Sequence, residues 1–365
     1  MLVQNLKAVG FRNFESAALS FDSGLNIFNG RNGSGKTNLL EAVFVLMLGR
    51  SQRGAIDSVM LKENEEYYRL SGKIEIEGKT EEAAIAYQKG GRKKITIDKV
   101  GARASELFRH YTAVATSPED IEILSGSPSN RRNFIDLYLS QASPNYLADL
   151  TDYQKVLAQK NAFLKQDNNS GETPYDDLLI DYGSRVMKYR LDFIASIMPT
   201  IAETYRNIAG GHEITIRYNP SVSLDSDITD SSGIKSAFKK RLREVRERER
   251  IMQTAMTGPH RDDVDFTIRD LPARAYGSQG ELRTAAISLK IAVYRYLKKV
   301  RKAVPVLLMD EIFAELDDNR RAMLIELFDE VGQVFITTAS EIPDILLRKG
   351  RRFMIERGNI KDITG

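Results

Sequence analysis

Apolar and polar positions alternate in short runs over residues 2–8, 17–21 and 25–29, with a turn at Gly10, and predict three strands. From Asn38 the apolar positions recur at helical spacing to about residue 48. Alternation returns over 67–77, 82–87 and 94–98, with glycine turns at 78 and 90–91, and predicts antiparallel strands. The character changes near residue 117. Pro118 stands where a first helical residue belongs, and Glu119 and Asp120 follow in the first turn. Residues 130–166 read as helix broken at Ser143 and Pro144. Residues 167–174 are a polar loop, and 175–208 form a second long amphipathic pattern containing Pro199. A strand at 212–218, a polar connection at 221–233 and a charged helix at 234–257 come next. Beyond lie a strand at 264–268, a turn at 276–280, a helix at 281–301 and an uninterrupted apolar run at 304–309. That run predicts a buried, parallel strand. A helix at 318–330, a strand at 333–338, a helix at 341–348 and a terminal hairpin at 352–363 complete the pattern. The order predicts an α/β head of mixed sheet plus antiparallel β-subdomain, built from 1–116 and 258–365. Residues 117–257 would be a mainly helical arm or lid inserted between its halves.

Composition narrows the class without choosing within it. A chain of 365 residues with 42% hydrophobic and 28% charged residues has an ordinary globular balance and is long for one domain. The net charge of +3 makes no global case for nucleic acid, so any such case rests on where the charges sit. Absence of cysteine excludes disulfides, thiolate zinc sites and iron–sulfur clusters, and three histidines are few for a structural metal. The N-terminus lacks a signal pattern and no apolar run reaches about 18 residues, so a cytoplasmic location is expected.

The chemistry is densest at residues 30–37, GRNGSGKT, which fit G-x-x-x-x-G-K-[ST] between a strand and a helix. Gly30, Gly33 and Gly35 carry no side chains, so backbone N–H groups can close on phosphate oxygens at a helix N-terminus. Gly30, Arg31, Asn32, Gly33, Ser34, Gly35, Lys36, Thr37 and Asn38 are the candidate ATP-binding residues. Lys36 would reach the β/γ-phosphates, and the Thr37 hydroxyl would ligate Mg²⁺. The apolar run at 304–309 delivers Asp310 and Glu311 at its end, which suits a Mg²⁺-holding carboxylate followed by a general base. Ser278, Gln279, Gly280 and Glu281 place a hydroxyl, backbone amides and a helix start at one exposed point. That is an anion-binding device with no phosphate of its own, unless it caps one held by a second subunit. Glu315 and Asp317 would lie at the same seam, and Thr337 and Thr338 at a strand end would sense the γ-phosphate.

Taken together, GRNGSGKTNLLEA, YGSQGELR, LLMDEIFAELD and QVFITT resemble the ABC-type ATPases of the SMC/Rad50 group. With KAVGFRNF, SPEDIEILSGSPSNRRNFID (117–136) and MTGPHRDD (256–263), the chain is similar to the RecF family of bacterial recombination proteins within that group. The resemblance covers about residues 2–345. It implies a head that dimerises on ATP, each signature serine facing the partner's phosphate loop, with Arg12 and Asn13 approaching the nucleotide. It also implies slow, DNA-stimulated ATP hydrolysis, binding of gapped DNA, RecO- and RecR-type partners and RecA loading in recombinational repair. Two departures stand out: Asp-Glu replaces the frequent Asp-Asp at 310–311, and 116–120 has no glutamine where a bridging one is expected. Basic clusters without interleaved acids, Arg50 and Arg53, and Arg92, Lys93 and Lys94, are candidate DNA contacts, with Arg131 and Arg132 beside them. Without aromatic interleaving, backbone contacts of little sequence specificity are expected. A small-molecule P-loop kinase or NTPase is the alternative; a transporter-type ABC subunit on a membrane partner is a third reading.

Overall fold

A computed structural model describes residues 1–166, 173–224, 230–311, 331–339, 350–356 and 358–363. The expected helices at 318–330 and 341–348, and Glu315 and Asp317, lie outside them. The chain divides into two compact units, 1–120 with 293–365, and 121–292.

The first unit opens with β1 (Leu2–Val3), β2 (Asn5–Phe11), β3 (Phe14–Ser20) and β4 (Leu25–Asn29), then α1 (Lys36–Leu48). Next come β5 (Tyr67–Ile76), β6 (Lys79–Gln88), β7 (Lys94–Ile97), β8 (Val100–Ala102), α2 (Ala104–His110) and β9 (Ala113–Thr116). The second unit contains α3 (Ile121–Ser125), α4 (Pro128–Ala142), α5 (Pro144–Leu164), α6 (Asp176–Ile208), β10 (Ile214–Asn219) and α7 (Ser231–Met252). It continues with β11 (Asp263–Ile268), β12 (Leu271–Pro272) and α8 (Ala273–Tyr276), and the chain returns to the first unit along α9 (Gln279–Arg301). The last strands are β13 (Val306–Met309), β14 (Val334–Thr338), β15 (Gly350–Glu356) and β16 (Asn359–Asp362).

Two sheets organise the first unit. One is antiparallel, in the order β3-β2-β5-β6-β7-β8 with β1 on β5. The other runs β16-β15-β4-β14-β13-β9 and is parallel except for the β15–β16 hairpin. Helix α1 contacts strands of both sheets. Its sequence, KTNLLEAVFVLML, is apolar on nearly all sides because both flanks are covered. Phe21, Phe28, Phe335 and Phe353 form an aromatic cluster on the parallel sheet. Residues from both chain ends therefore share one core.

In the second unit α6 is the spine, packed on α5, α7 and β10, with Pro199 inside its 33 residues. Ser143, whose side chain accepts from the Tyr146 N–H at 3.2 Å, caps α5, so the helical run breaks where the pattern predicts. The boundary with the head falls elsewhere than expected. Strand β11 pairs antiparallel with β10 over Ile214↔Ile268 to Asn219↔Asp263. Residues 258–292 thereby cluster with the helices, although the residue pattern assigns them to the head. Among the described residues no helix is long and apolar enough to cross a membrane.

Candidate nucleotide and catalytic site

Parallel pairing brings three strand ends to one edge. Thr338 lies opposite Asn29, the last residue before the phosphate-loop motif, and Met309 lies between Ile336 and Thr116. Ligands of open α/β sheets bind beyond such carboxyl ends. Gly35 opens α1 at φ 110°, and a Cβ there would lie 2.3 Å from Asn13 Nδ2, so only glycine fits. Asn13 steadies the loop: its Nδ2 donates to Ser34 O at 3.2 Å, and its Oδ1 accepts from Asn38 Nδ2 at 2.7 Å. Arg12, in the same turn, is committed elsewhere. Its guanidinium grips the buried Glu41 carboxylate at 2.8 and 2.9 Å and reaches Val59 O at 3.0 Å.

Lys36 is 4% exposed. Its ammonium donates to Gly30 O at 2.8 Å and Arg31 O at 3.2 Å, and lies 3.0 Å from Glu311 Oε1. Thr37 Oγ1 reaches both Asp310 oxygens, at 2.9 and 2.8 Å. Burial, foremost, pushes the Asp310 carboxyl above the usual carboxylate range; the Thr337 and Thr37 hydroxyls oppose the shift, and the charges of Glu311 and Glu119 add to it. Glu119 belongs to the segment, 116–120, where the sequence shows no bridging glutamine. Glu311 Oε2 accepts from the Ala339 N–H at 3.0 Å. Beside the loop a cavity of about 1080 Å³ opens between residues 29–34 and the terminal hairpin, with Met354, Ile355 and Ile360 among its walls.

The residues fit a Mg²⁺-bound nucleoside triphosphate. Thr37 and Asp310 offer the hard oxygen donors that Mg²⁺ prefers, Lys36 supplies the cation, and the buried Ser34 hydroxyl has no hydrogen-bond partner among the described residues. Among the described residues no cluster of three or more histidine or acidic side chains could hold a different metal.

Ser278 is exposed in the second unit and caps α9. Its hydroxyl and N–H donate to Glu281 Oε2 at 2.8 and 2.9 Å, and Arg269 lies 3.0 Å from the other Glu281 oxygen. This is a capping box at the start of a 23-residue helix. Thr337 and Thr338 are buried at the end of β14.

The basic residues divide. Arg131 is 3% exposed and forks onto Asp263 at 2.6 and 3.0 Å, which corrects its reading as a DNA contact. Arg132 is half-buried and donates to Asp262 O at 2.8 Å. The same network joins Asp136, Tyr146, Arg190 and Pro259 O, so the RRNFID and GPHRDD motifs are two halves of one buried polar core. Lys93 is also committed, donating to Gly49 O at 2.6 Å and Asp57 Oδ1 at 3.0 Å. It ties the loop at 49–57 to the loop at 90–94. Arg50, Arg53, Arg92 and Lys94 remain exposed on these loops.

Comparison with known proteins converges on one group. The RecF/RecN/SMC N-terminal domain family matches residues 2–343. The chain is 37% identical over 344 residues to the DNA replication and repair protein RecF of Streptococcus pneumoniae strain CGSP14, covering 93% of each. It is 38% identical to the RecF of Streptococcus gordonii strain Challis over 99% of this chain and 100% of that one. A solved structure of the recombination mediator protein RecF with ATP, of the RecFOR pathway, superposes with a TM-score of 0.91 at 30% identity, covering 99% and 97% of the two chains. The chain belongs to the RecF/RecN/SMC family and, within it, to the RecF proteins of DNA replication and repair.

Proposed function

We propose that this chain is an ATP-driven DNA clamp of recombinational repair, working in the cytoplasm, and that the ATPase site of its head, drawn from both chain ends, is the one assembled on residues 30–38 and 310–311. The observation that carries the reading is the contact of Thr37 with Asp310 beside the Lys36–Glu311 pair, which joins phosphate loop, metal ligand and base in one place. Lys36 and the loop amides bind the phosphates of ATP, and Glu311 takes a proton from the attacking water. Bound at Thr37 and Asp310, Mg²⁺ would offset charge on the β- and γ-phosphates. The exposed Ser278 turn, with Gln279, Gly280 and Glu281, serves the ATP of a second copy, so that ATP joins two heads. Thr338 lies at the switch position.

Arg50, Arg53, Arg92 and Lys94 contact DNA backbone with little sequence preference. The dimer closes on gapped DNA, slow DNA-stimulated hydrolysis reopens it, and RecO- and RecR-type partners act with it to load RecA. The family match over residues 2–343 gives no support to the small-molecule kinase or the transporter subunit.

Two substitutions test the reading. Lys36→Arg should lose ATP binding by about tenfold or more and with it ATP-dependent dimerisation, since a bulkier, planar cation cannot occupy the buried pocket. Ser278→Arg should bind ATP normally and remain monomeric in size-exclusion chromatography with ATP. Normal dimerisation of Ser278→Arg would show that the signature turn does not act across subunits.

A further inference from the structure

The two threonines at the end of β14 do not have equal roles. Thr337 is 0% exposed, and among the described residues its hydroxyl makes two contacts. It donates to Asp310 Oδ1 at 2.5 Å and accepts the N–H of Glu311 at 2.9 Å. A hydroxyl carries one proton. With that proton on Asp310, Thr337 has no donor to offer a phosphate oxygen, which is a pure acceptor. It is therefore not the phosphate sensor that its position at a strand end suggests.

Register explains why one side chain meets both acids. Strands β13 and β14 are parallel, with Met309 opposite Ile336, so residues 310 and 337 are the next positions along neighbouring strands. Glu311 then leaves the strand direction at φ 47°, a left-handed conformation that disfavours a side chain. Its N–H is anchored on Thr337, and the turn carries its carboxylate back to Lys36 Nζ at 3.0 Å and the Ala339 N–H at 3.0 Å. Without the Thr337 hydroxyl, this turn loses its anchor and Asp310 loses one of two hydroxyl donors that set its rotamer.

We infer that Thr337 is a positioning residue of the ATPase site, a single hydroxyl that fixes the metal-holding Asp310 and the basic Glu311 relative to each other. This rests on the reading of Asp310 and Glu311 given above, and concerns a different residue. It predicts that Thr337 acts on turnover and on the Mg²⁺ requirement, with little effect on how the loop grips phosphates.

The test compares Thr337→Val, which keeps the shape and removes the hydroxyl, with Thr337→Ser, which keeps the hydroxyl. For Val, kcat for ATP should fall about 10- to 100-fold, the scale of a small misplacement of a reacting group. The Mg²⁺ concentration for half-maximal activity should rise. ATP affinity measured without Mg²⁺ should stay within about twofold, since the loop is untouched. Ser should restore turnover and Mg²⁺ requirement together. Should Val fail to fold, Thr337→Ala read against Thr337→Ser gives the same contrast. Wild-type kcat and Mg²⁺ requirement in Val, or equal loss in Val and Ser, would overturn the inference, because the hydroxyl would then be dispensable or only packing would matter. If the unsubstituted protein and Lys36→Arg show equally little ATP turnover, the ATPase reading falls first, and it takes this role with it.

Discussion

Asp310 is a carboxyl held where its charge is disfavoured. Burial raises its pKa, so over the range between its ordinary value and the raised one the folded protein keeps a proton that the unfolded chain releases. Stability from this group is fully present below the ordinary carboxylate pKa and is lost as pH rises through the folded value. At neutral pH the ionised side chain is therefore a liability to the unliganded fold. Asp310→Asn, which removes the charge and keeps an oxygen for the two threonines, should raise the melting temperature at pH 7 while abolishing Mg²⁺-dependent hydrolysis. A melting temperature that falls would mean that the carboxylate stabilises the site. The phosphate-loop motif was legible from the residues alone because phosphate binding imposes fixed local spacing. The acids at 310–311 were legible because a buried strand announces its own end. Thr337's true contacts were not, since they depend on a neighbouring strand in register.

Elements whose meaning depends on distant partners are less legible in the sequence. Strand β9 is four residues, AVAT, too short to show a period, and it becomes a strand only by lying beside β13. Arg131 looks like part of a basic surface run, yet Asp263, 132 positions later, draws it inside. Strand β11 joins the helical unit by pairing with β10, again across the sequence. Gly258 shows how tightly that region closes: at φ 119°, a Cβ would stand 2.5 Å from the Tyr153 hydroxyl. Beside it His260 Nδ1 is 2.6 Å from the same hydroxyl, and burial pushes the imidazole pKa down to about 4. In the unfolded chain it titrates near 6.5. Unfolding thus takes up a proton between these values, and the stability that neutral His260 provides is lost as pH falls from about 6.5 to about 4. His260→Gln should flatten the pH dependence of the melting temperature in that window. An unchanged slope would assign the acid sensitivity to other groups.

At the scale of the whole molecule, charge matters by placement, since a net +3 steers little. Lys93 holds two basic loops together without itself facing outward, leaving Arg53 and Arg92 exposed on them. Each phosphate contact contributes about 0.9 to the slope of log K against log salt on duplex DNA. Arg53→Ala and Arg92→Ala should each reduce that slope by about this amount and weaken binding equally on unrelated sequences. A slope that stays constant would move the DNA surface elsewhere. The parallel sheet has a further consequence, in the time domain of synthesis. Strand β4 precedes the phosphate loop, yet both its neighbours, β14 and β15, follow it only after about 300 further residues. At a ribosomal pace of about 5–20 residues per second, the strand waits roughly 15–60 s with both edges unpaired. Such long-range parallel pairing is slow to form and open to wrong partners meanwhile. The nascent chain therefore cannot pair both edges of β4 until β15 has been made, and a message truncated before residue 350 yields a protein with one edge of β4 open beside the phosphate loop.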